Sequence, residues 1–114
     1  MALYYDLPVF KDVYKMTLEI FRITTNFSRE YKFTLGQDLK RGCILLVRHI
    51  YRANKTKEKT VYLENFLDSF EVVKLELRLC KDLGLTTVKQ HANLAVYMDS
   101  IGKQITAWRN ASSK

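Results

Sequence analysis

The residue types that most often do chemistry are present in this chain, but their spacing forms no catalytic or metal-binding motif. Cys43, His49, Cys80 and His91 include no close Cys pair and no His pair at the spacing of a zinc site. Neither histidine follows a Glu by three residues, as a di-metal carboxylate bundle requires. The four glycines are too scattered for a phosphate-binding loop. The sequence therefore predicts a non-enzymatic protein with no catalytic residue, no metal and no cofactor.

The two cysteines, Cys43 and Cys80, lie among apolar residues in segments with helical periodicity. They could form a redox pair, but buried reduced thiols are the commoner use of cysteine inside cells, so we expect both to be free. The first six residues lack the charged and apolar regions of a secretory signal. The longest apolar run, Cys43–Val47, is far shorter than the ~20 residues of a membrane span. We therefore expect a cytoplasmic protein that does not cross a membrane.

The positive charge is concentrated in the middle of the chain. The formal net charge is +7 over 114 residues. Residues 29–59 carry nine basic and three acidic side chains, a net charge of +6, whereas residues 60–83 have a net charge of −2. Concentrated positive charge favours polyanionic partners. The candidates for nucleic-acid contact in this segment are Lys40, Arg41, Arg48, Arg52, Lys55, Lys57 and Lys59.

Four of these basic residues share one face of a predicted helix. Arg41, Arg48, Arg52 and Lys55 are separated by seven, four and three residues, which is helical spacing. Like charges at this spacing repel one another unless an anion offsets them. RNA or DNA phosphates could supply the anion. The alternative is a solvated or intersubunit face whose partners are the acidic residues Glu64, Asp68 and Glu71.

Apolar residues recur at spacings of three and four along nearly the whole chain, which predicts four long helices. The expected ranges are 8–28, 35–55, 58–83 and 88–109, with a loop over residues 29–33 and a frayed tail from residue 110. Helices joined by such short connections pack as antiparallel neighbours. The predicted fold class for residues 1–114 is therefore all-α, a single-domain up-down-up-down four-helix bundle.

Local signals set the expected helix ends and core-facing stripes. Asp6 is the expected N-cap ahead of Pro8, and Gly84 is the expected C-terminal cap of the third helix. Residues 34–37 and 87–90 have the sequence of a capping box. The expected inward stripes are Phe10, Val13, Tyr14, Thr17, Phe21, Thr24, Phe27; Leu39, Cys43, Leu46, Ile50; Leu63, Phe66, Phe70, Val73, Leu77, Cys80; and Val88, Ala92, Ala95, Met98, Ile101, Ile105, Trp108.

The second and third predicted helices carry more apolar residues than one bundle core needs. A helix that is apolar around much of its circumference is commonly buried on more than one side. A thick core with ordinary exposed apolar residues is one explanation, and a subunit interface is the one we favour. We therefore expect a homo-oligomer. The candidate interface residues are Ile44, Leu45, Val47, Tyr51, Leu75 and Leu79.

Several segments resemble a known family. The sequence NFSREYKFTLG at residues 26–36 resembles the accessory variability determinant (Avd) proteins of diversity-generating retroelements, as do residues 50–54, 77–83 and 104–108. The opening at residues 7–11 is similar to a related four-helix-bundle family found in intervening sequences of ribosomal RNA genes. That branch usually ends its second helix with an Asn-Ile-Ala-Glu-Gly-like segment, where this chain has YRAN. The resemblance, over about residues 6–110, therefore favours the retroelement branch.

This resemblance implies a specific assembly and function. Avd proteins form homopentameric barrels of four-helix bundles, have a basic surface and bind the retroelement's reverse transcriptase. With that enzyme and its template RNA they support error-prone cDNA synthesis, which diversifies a target gene. The partners implied are other copies of the chain, a reverse transcriptase, RNA and DNA, with no small-molecule substrate. The alternative is a structural protein-interaction bundle of the ribosomal RNA intervening-sequence family with no direct nucleic-acid role.

Overall fold

The computed structural model describes residues 2–113, and helices account for most of them. A 3-10 turn at Tyr4–Asp6 precedes α1 (Pro8–Thr25), which is followed by the short helix α2 (Arg29–Lys32). The other long helices are α3 (Leu35–Lys55), α4 (Lys59–Asp82) and α5 (Val88–Ser112). No strand occurs within residues 2–113. The prediction of an all-helical protein with four long helices is confirmed.

The four long helices pack as the four corners of a bundle. Helix α1 contacts α3 and α5, and α4 contacts the same two helices from the opposite corner. Neighbours joined by such short connections run antiparallel, so the chain goes up, down, up and down. The molecule measures 45 × 23 × 22 Å, which is one long helix by two helix diameters. In this arrangement α5 lies diagonally across the bundle from α3.

The core stripes of α3 and α4 are the ones that the sequence predicts. Leu39, Cys43, Leu46 and Ile50 of α3 are at most 1% exposed. The expected stripe of α4, from Leu63 to Cys80, is also buried throughout. Gly42 lets these two helices approach closely, because a Cβ atom there would lie 2.9 Å from Val73 Cγ2. The α3–α4 pair therefore forms the tightest part of the bundle beneath the basic segment.

The core stripe predicted for α1 is only partly correct. Val13, Thr24 and Phe27 are buried as expected, but Tyr14 and Phe21 are exposed, and largely aliphatic positions are buried in their place. Both stripes have helical spacing, but the aliphatic one brings Asp12 against α5. There the Asp12 carboxylate accepts hydrogen bonds from Ser100 Oγ (2.8 Å) and Gln104 Nε2 (2.7 Å). The residues of α1 that face the core are Val9, Val13, Met16, Ile20, Ile23 and Thr24.

The stripe predicted for α5 is only partly correct. Ile101 and Ile105 are buried as expected, but Val88 is 82% exposed and Leu94 is buried instead. Leu94 lies seven residues before Ile101, in phase with the core, whereas Val88 is the first residue of the helix. The helix also continues to Ser112, past the expected end at 109, because residues 110–112 contain no helix breaker. Lys114, the last residue of the expected frayed tail, lies outside the described residues.

Two of the predicted helix caps are correct. The Thr87 side chain accepts from the Gln90 backbone N–H (3.0 Å), and the Gln90 side chain accepts from the Thr87 N–H (2.9 Å), which completes a capping box. Gly84 adopts φ +74° after α4. The Gly84 and Leu85 N–H groups donate to the Lys81 and Cys80 carbonyls, the pattern of a Schellman C-cap.

Helix α3 spans Leu35–Lys55 as predicted, whereas four predictions about residues 6–34 are wrong. Helix α1 ends at Thr25 rather than at residue 28, and the expected loop over residues 29–33 contains the single turn α2. The Thr34 hydroxyl donates to the Glu30 carbonyl of that turn (2.8 Å), so it does not cap α3. Asp6 lies within the 3-10 turn, and Leu7 is the N-cap of α1 without a side-chain hydrogen bond. Thr34 therefore stabilises the end of α2 instead.

The two cysteines are free and buried, as predicted. Burial raises the pKa of both thiols to about 11, so they are protonated at neutral pH. Such thiols pack as small apolar groups and react slowly. None of the helices in the described part of the chain is both long and apolar enough to span a bilayer.

Candidate nucleic-acid interface

The centre of the candidate site is a row of four cations on α3. Arg41, Arg48, Arg52 and Lys55, which we call the basic ridge, are all exposed on the side of α3 opposite its buried stripe. The four ion pairs found within residues 2–113 involve Lys74, Arg78, Lys103 and Arg109 as their cations, and none from the ridge. The ridge therefore presents charge that no carboxylate of the described chain neutralises.

Two of the three acidic residues that could neutralise the ridge pair with other cations. Glu64 pairs with Arg109 of α5 at 3.4 Å, and Glu71 pairs with Lys74 at 2.6 Å within α4. Asp68 is exposed and makes no ion pair among residues 2–113. None of these three carboxylates therefore pairs with the ridge within one subunit, and a solvated or intersubunit face stays the alternative.

The other predicted nucleic-acid residues differ in their availability. Lys57 is exposed in the α3–α4 connection, and Lys40 lies half-buried beside the ridge. Lys59, by contrast, donates from Nζ to the carbonyls of Ala53 (2.8 Å), Asn54 (3.2 Å) and Thr56 (2.9 Å). These carbonyls end α3 and lack intrahelical partners, so the ammonium group caps the helix. The Lys59 ammonium group is therefore already engaged by backbone carbonyls, and its contact with nucleic acid stays a prediction.

The electrostatic effect of the ridge is seen at His49. Its Nε2 lies 3.2 Å from Ser69 Oγ of α4, at the edge of the α3–α4 contact. Partial burial lowers the pKa of His49 below 6.5, and the positive charges of Arg52 and Arg48 lower it further. The His49 imidazole is therefore neutral at pH 7. His49 is therefore a structural neighbour of the ridge and adds no charge to it.

Two shallow grooves flank the ridge. The α1–α3 groove has a volume of about 550 Å³ and is lined by Phe21 of α1 together with Lys40, Arg41, Ile44 and Arg48. The α3–α4 groove, about 230 Å³, is lined on its α4 side by Val72 and Glu76, among others. Arg41 and Leu45 line both grooves and so mark the crest between them.

The α3–α4 groove contains a buried carboxyl group. Glu76 is 7% exposed, and its Oε1 has no hydrogen-bond partner. Burial and the adjacent Asp38 carboxyl group raise the pKa of Glu76 to about 8. Glu76 is therefore mostly protonated at neutral pH and subtracts little from the positive charge of the ridge.

The predicted interface residues lie on two separate surfaces. Ile44 (49% exposed), Leu45 (36%) and Tyr51 (43%) surround the ridge on α3. Leu75 (58%) and Leu79 (43%) lie on the outer face of α4. The predicted interface residues are therefore divided between two neighbouring helices, α3 and α4.

Val47 is the one predicted interface residue that packs inside its own subunit. Its side chain is half-buried and lies against the hydrophobic core. On α3 it is one residue from Leu46, which is fully buried, so it sits at the margin of the core stripe. Val47 therefore contributes to the fold of its own subunit, and its place in a subunit interface stays a prediction.

Sequence reasoning missed two residues at this site. Phe21 was expected in the core but is 41% exposed in the α1–α3 groove. Gln37 was expected to complete a capping box with Thr34. The Gln37 amide is oriented so that both its nitrogen and its oxygen have hydrogen-bond partners. The nitrogen donates to the Phe33 carbonyl (3.2 Å), and the oxygen accepts from Arg41 Nη2 (3.0 Å). The Gln37 amide thereby orients Arg41 along the ridge.

The fold and the site together define a class of protein. Residues 2–113 hold no group of three or more His, Cys, Asp or Glu side chains that could bind a metal ion. What the structure offers is a four-helix bundle with an unneutralised cationic surface flanked by exposed apolar and aromatic side chains. The class that these features define is an all-helical, four-helix-bundle protein with a cationic surface on α3.

Comparison with known proteins gives the family. The family model described as bAvd-like matches residues 9–112, which is nearly the whole chain. The chain therefore belongs to the bAvd-like family, a family of accessory, non-catalytic proteins. The resemblance to Avd proteins seen in the sequence is confirmed. A search of curated proteins finds no match for this chain.

Proposed function

We propose that this protein is a non-enzymatic accessory subunit of a diversity-generating retroelement, which binds template RNA and cDNA through the basic ridge. The observation that supports this proposal is the absence of any carboxylate partner for Arg41, Arg48, Arg52 and Lys55 within the described chain. Membership of the bAvd-like family supports the accessory role. Such a role requires a cytoplasmic protein that acts where the RNA is copied.

The ridge contacts the phosphate backbone in this proposal. Three of its cations, Arg41, Arg48 and Lys55, repeat every seven residues and so follow one line along α3. Seven residues of helix rise about 10 Å, so the line extends over about 21 Å. Phosphate contacts carry no sequence information, so RNA and single-stranded DNA of unrelated sequences bind similarly. Affinity decreases steeply with added salt because counterions are released.

A matched pair of charge reversals tests this proposal. Arg48→Glu with Arg52→Glu changes the ridge, whereas Lys89→Glu with Lys103→Glu changes α5, diagonally across the bundle. Both pairs remove the same total charge from exposed positions. We expect the ridge pair to weaken RNA binding roughly tenfold or more and the α5 pair to have a much smaller effect. Fluorescence anisotropy measures affinity, and circular dichroism confirms that each variant is folded.

Equal losses from the two pairs would mean that only net charge matters, which contradicts a site on the ridge. A ridge pair that binds RNA normally would favour the alternative function, a bundle that binds an acidic protein. Loss of helicity or assembly in the ridge pair, at unchanged helicity in the α5 pair, would also support that alternative.

The reverse transcriptase is the second proposed partner. Its contact surface is not assigned to particular residues. Size-exclusion chromatography of the purified protein with the reverse transcriptase encoded beside its gene tests the interaction. Co-elution supports the accessory role, and separate elution with or without template RNA contradicts it.

The protein assembles as a homo-oligomer in this proposal, with the pentamer implied by the Avd resemblance. The supporting observation is the exposed apolar surface of α4 formed by Leu75 and Leu79. Light scattering at micromolar concentration measures the mass of the assembly. A single species at the 13.4 kDa mass of the chain would contradict oligomerisation.

A further inference from the structure

The α1–α3 groove combines an exposed aromatic ring with several cations. Phe21 is 41% exposed, although Ile20 and Ile23 beside it on α1 are buried. The groove that it lines also contains Lys40, Arg41 and Arg48, and no carboxylate lines it. Its volume of about 550 Å³ lies within the range of small-molecule sites. An aromatic wall beside cations suits a ligand that has both a flat ring and a negative charge.

The cation–π contact between Lys40 and Phe21 is weak enough for a bound base to replace it. Lys40 Nζ lies 5.6 Å from the centroid of the Phe21 ring. At a solvent-exposed position a cation–π contact of this kind is weaker than the stacking of a nucleobase on an aromatic side chain. A base that stacks on Phe21 releases the Lys40 ammonium group, which can then bind the adjacent phosphate.

A second aromatic–cation pair lies further along the same side of the ridge. Tyr51 is 43% exposed, and Lys55 Nζ lies 4.6 Å from the centroid of its ring. Tyr51 follows Ile44, which lines the Phe21 groove, by two helical turns, or about 10 Å. An edge contact with Tyr4 (5.3 Å between centroids) holds the Tyr51 ring in place. The arrangement of ring and cation therefore occurs twice along the ridge.

We propose that the α1–α3 groove binds an unpaired base of single-stranded nucleic acid by stacking on Phe21, while Lys40, Arg41 and Arg48 bind the flanking phosphates. This inference rests on the proposed function and specifies its ligand. A duplex keeps its bases stacked on one another, so it can use the cations but not the ring. The protein therefore prefers single strands that carry bases.

Abasic DNA separates base stacking from phosphate contact. The probes are an oligothymidylate of about 12 nucleotides and an abasic strand of the same length, compared by fluorescence anisotropy. We expect the wild-type protein to bind the base-bearing strand roughly 5- to 100-fold more tightly. Phe21→Leu should lose most of this preference, and its affinity for the abasic strand should not change.

Two further variants control this experiment. Phe21→Trp keeps an aromatic face and should retain the preference for bases. Phe33→Leu removes a more exposed phenyl group that does not line the groove, since Phe33 is 63% exposed near the start of α3. That variant should behave as the wild type does. Light scattering and circular dichroism check that all three variants keep the wild-type mass and helicity.

Three results would overturn the inference. If the wild type binds both strands with the same affinity, bases do not stack in the groove, although the ridge can still bind phosphates. If Phe21→Leu keeps the full preference for bases, stacking occurs elsewhere. If neither strand binds at all, the proposed nucleic-acid function fails as well. Failure of base stacking and failure of nucleic-acid binding therefore give different results. If the groove instead binds an acidic protein segment, the two strands should bind with equal affinity or not at all.

Discussion

Helices α3 and α4 lie side by side, bury comparable apolar stripes and differ in how their outer faces balance charge. The outer face of α3 carries the basic ridge, whose four cations make no ion pair within residues 2–113. On α4, Glu71 pairs with Lys74 and Glu64 pairs with Arg109. Both faces also expose large apolar side chains, Ile44 and Tyr51 on α3 and Leu75 and Leu79 on α4.

This difference indicates separate roles for the two faces. A helix face whose charges are paired locally has little further electrostatic attraction for a polyanion, so exposed leucines on it favour contact with another protein. A face with unpaired like charges is stabilised when an anion binds. We therefore assign nucleic-acid binding to α3 and subunit contact to the leucines of α4, as proposals that the following variants can separate.

The largest expected effect is on assembly. Leu75→Asp with Leu79→Asp places two charges on the apolar face of α4, and we expect the oligomer to dissociate. Full burial of a leucine contributes about 1.5–3 kcal/mol, so the pair should weaken association roughly 10²- to 10⁴-fold. Light scattering measures the mass of the assembly. Val88→Asp with Val96→Asp, two exposed positions on α5, is the matched control. If the α4 variant keeps the wild-type mass, Leu75 and Leu79 do not form part of the subunit interface.

An intermediate effect is expected from the carboxyl group between the two helices. The pKa of Glu76 is about 8 in the folded state, against 4.5 for an ordinary Glu, so the folded protein holds this proton more tightly. The free energy of unfolding should therefore fall as pH rises from about 4.5 to about 8, and then level off. Glu76→Gln should remove this dependence and stabilise the protein at pH 9 by about 1–3 kcal/mol.

Urea denaturation at pH 5, 7 and 9 measures this effect. Glu71→Gln is the control, because Glu71 lies exposed on the same helix in a surface ion pair. Stability curves for wild type and Glu76→Gln that run parallel from pH 5 to pH 9 would show that Glu76 titrates normally.

The smallest effect is expected from the paired charges. Arg109→Ala breaks the contact with Glu64, and we expect a stability loss below about 1 kcal/mol because both side chains are partly exposed. Its RNA affinity should stay within about twofold of the wild type, whereas Arg48→Ala, which removes the same charge from the ridge, should lower it more. Thermal denaturation and anisotropy measure the two quantities. Equal losses of RNA affinity in Arg109→Ala and Arg48→Ala would mean that paired and unpaired cations contribute equally to RNA binding.

The sequence predicted the parts of the fold that depend on one helix at a time. The stripes of α3 and α4 and the caps at Gly84 and Thr87 follow from spacing and local hydrogen bonds. The phase of α1 could not be predicted in this way, because aliphatic and aromatic stripes have the same period. Only the tertiary contact of Asp12 with Ser100 and Gln104 distinguishes them.

The same limit applies to the candidate site. Charge counting found the basic ridge, since exposed cations at helical spacing need no tertiary information. It could not show that Lys59 caps the end of α3, or that Val47 packs into the core, because both depend on how the chain folds back on itself. Phe21 was missed because the expected stripe of α1 passed through it. The aliphatic stripe of α1, at steps of four and three, is as regular as the stripe that contains Phe21, so periodicity alone does not choose between them.

The central claim is that the basic ridge binds nucleic-acid phosphates, and the salt dependence of RNA binding tests it most directly. The measurement compares wild type with Arg48→Gln plus Arg52→Gln, which removes two charges and keeps hydrogen-bonding side chains. The slope of log affinity against log salt should become shallower by about 1.4–1.8, because each single-strand or duplex phosphate contact contributes about 0.7–0.9. An unchanged slope, with unchanged RNA affinity at low salt, would contradict the claim.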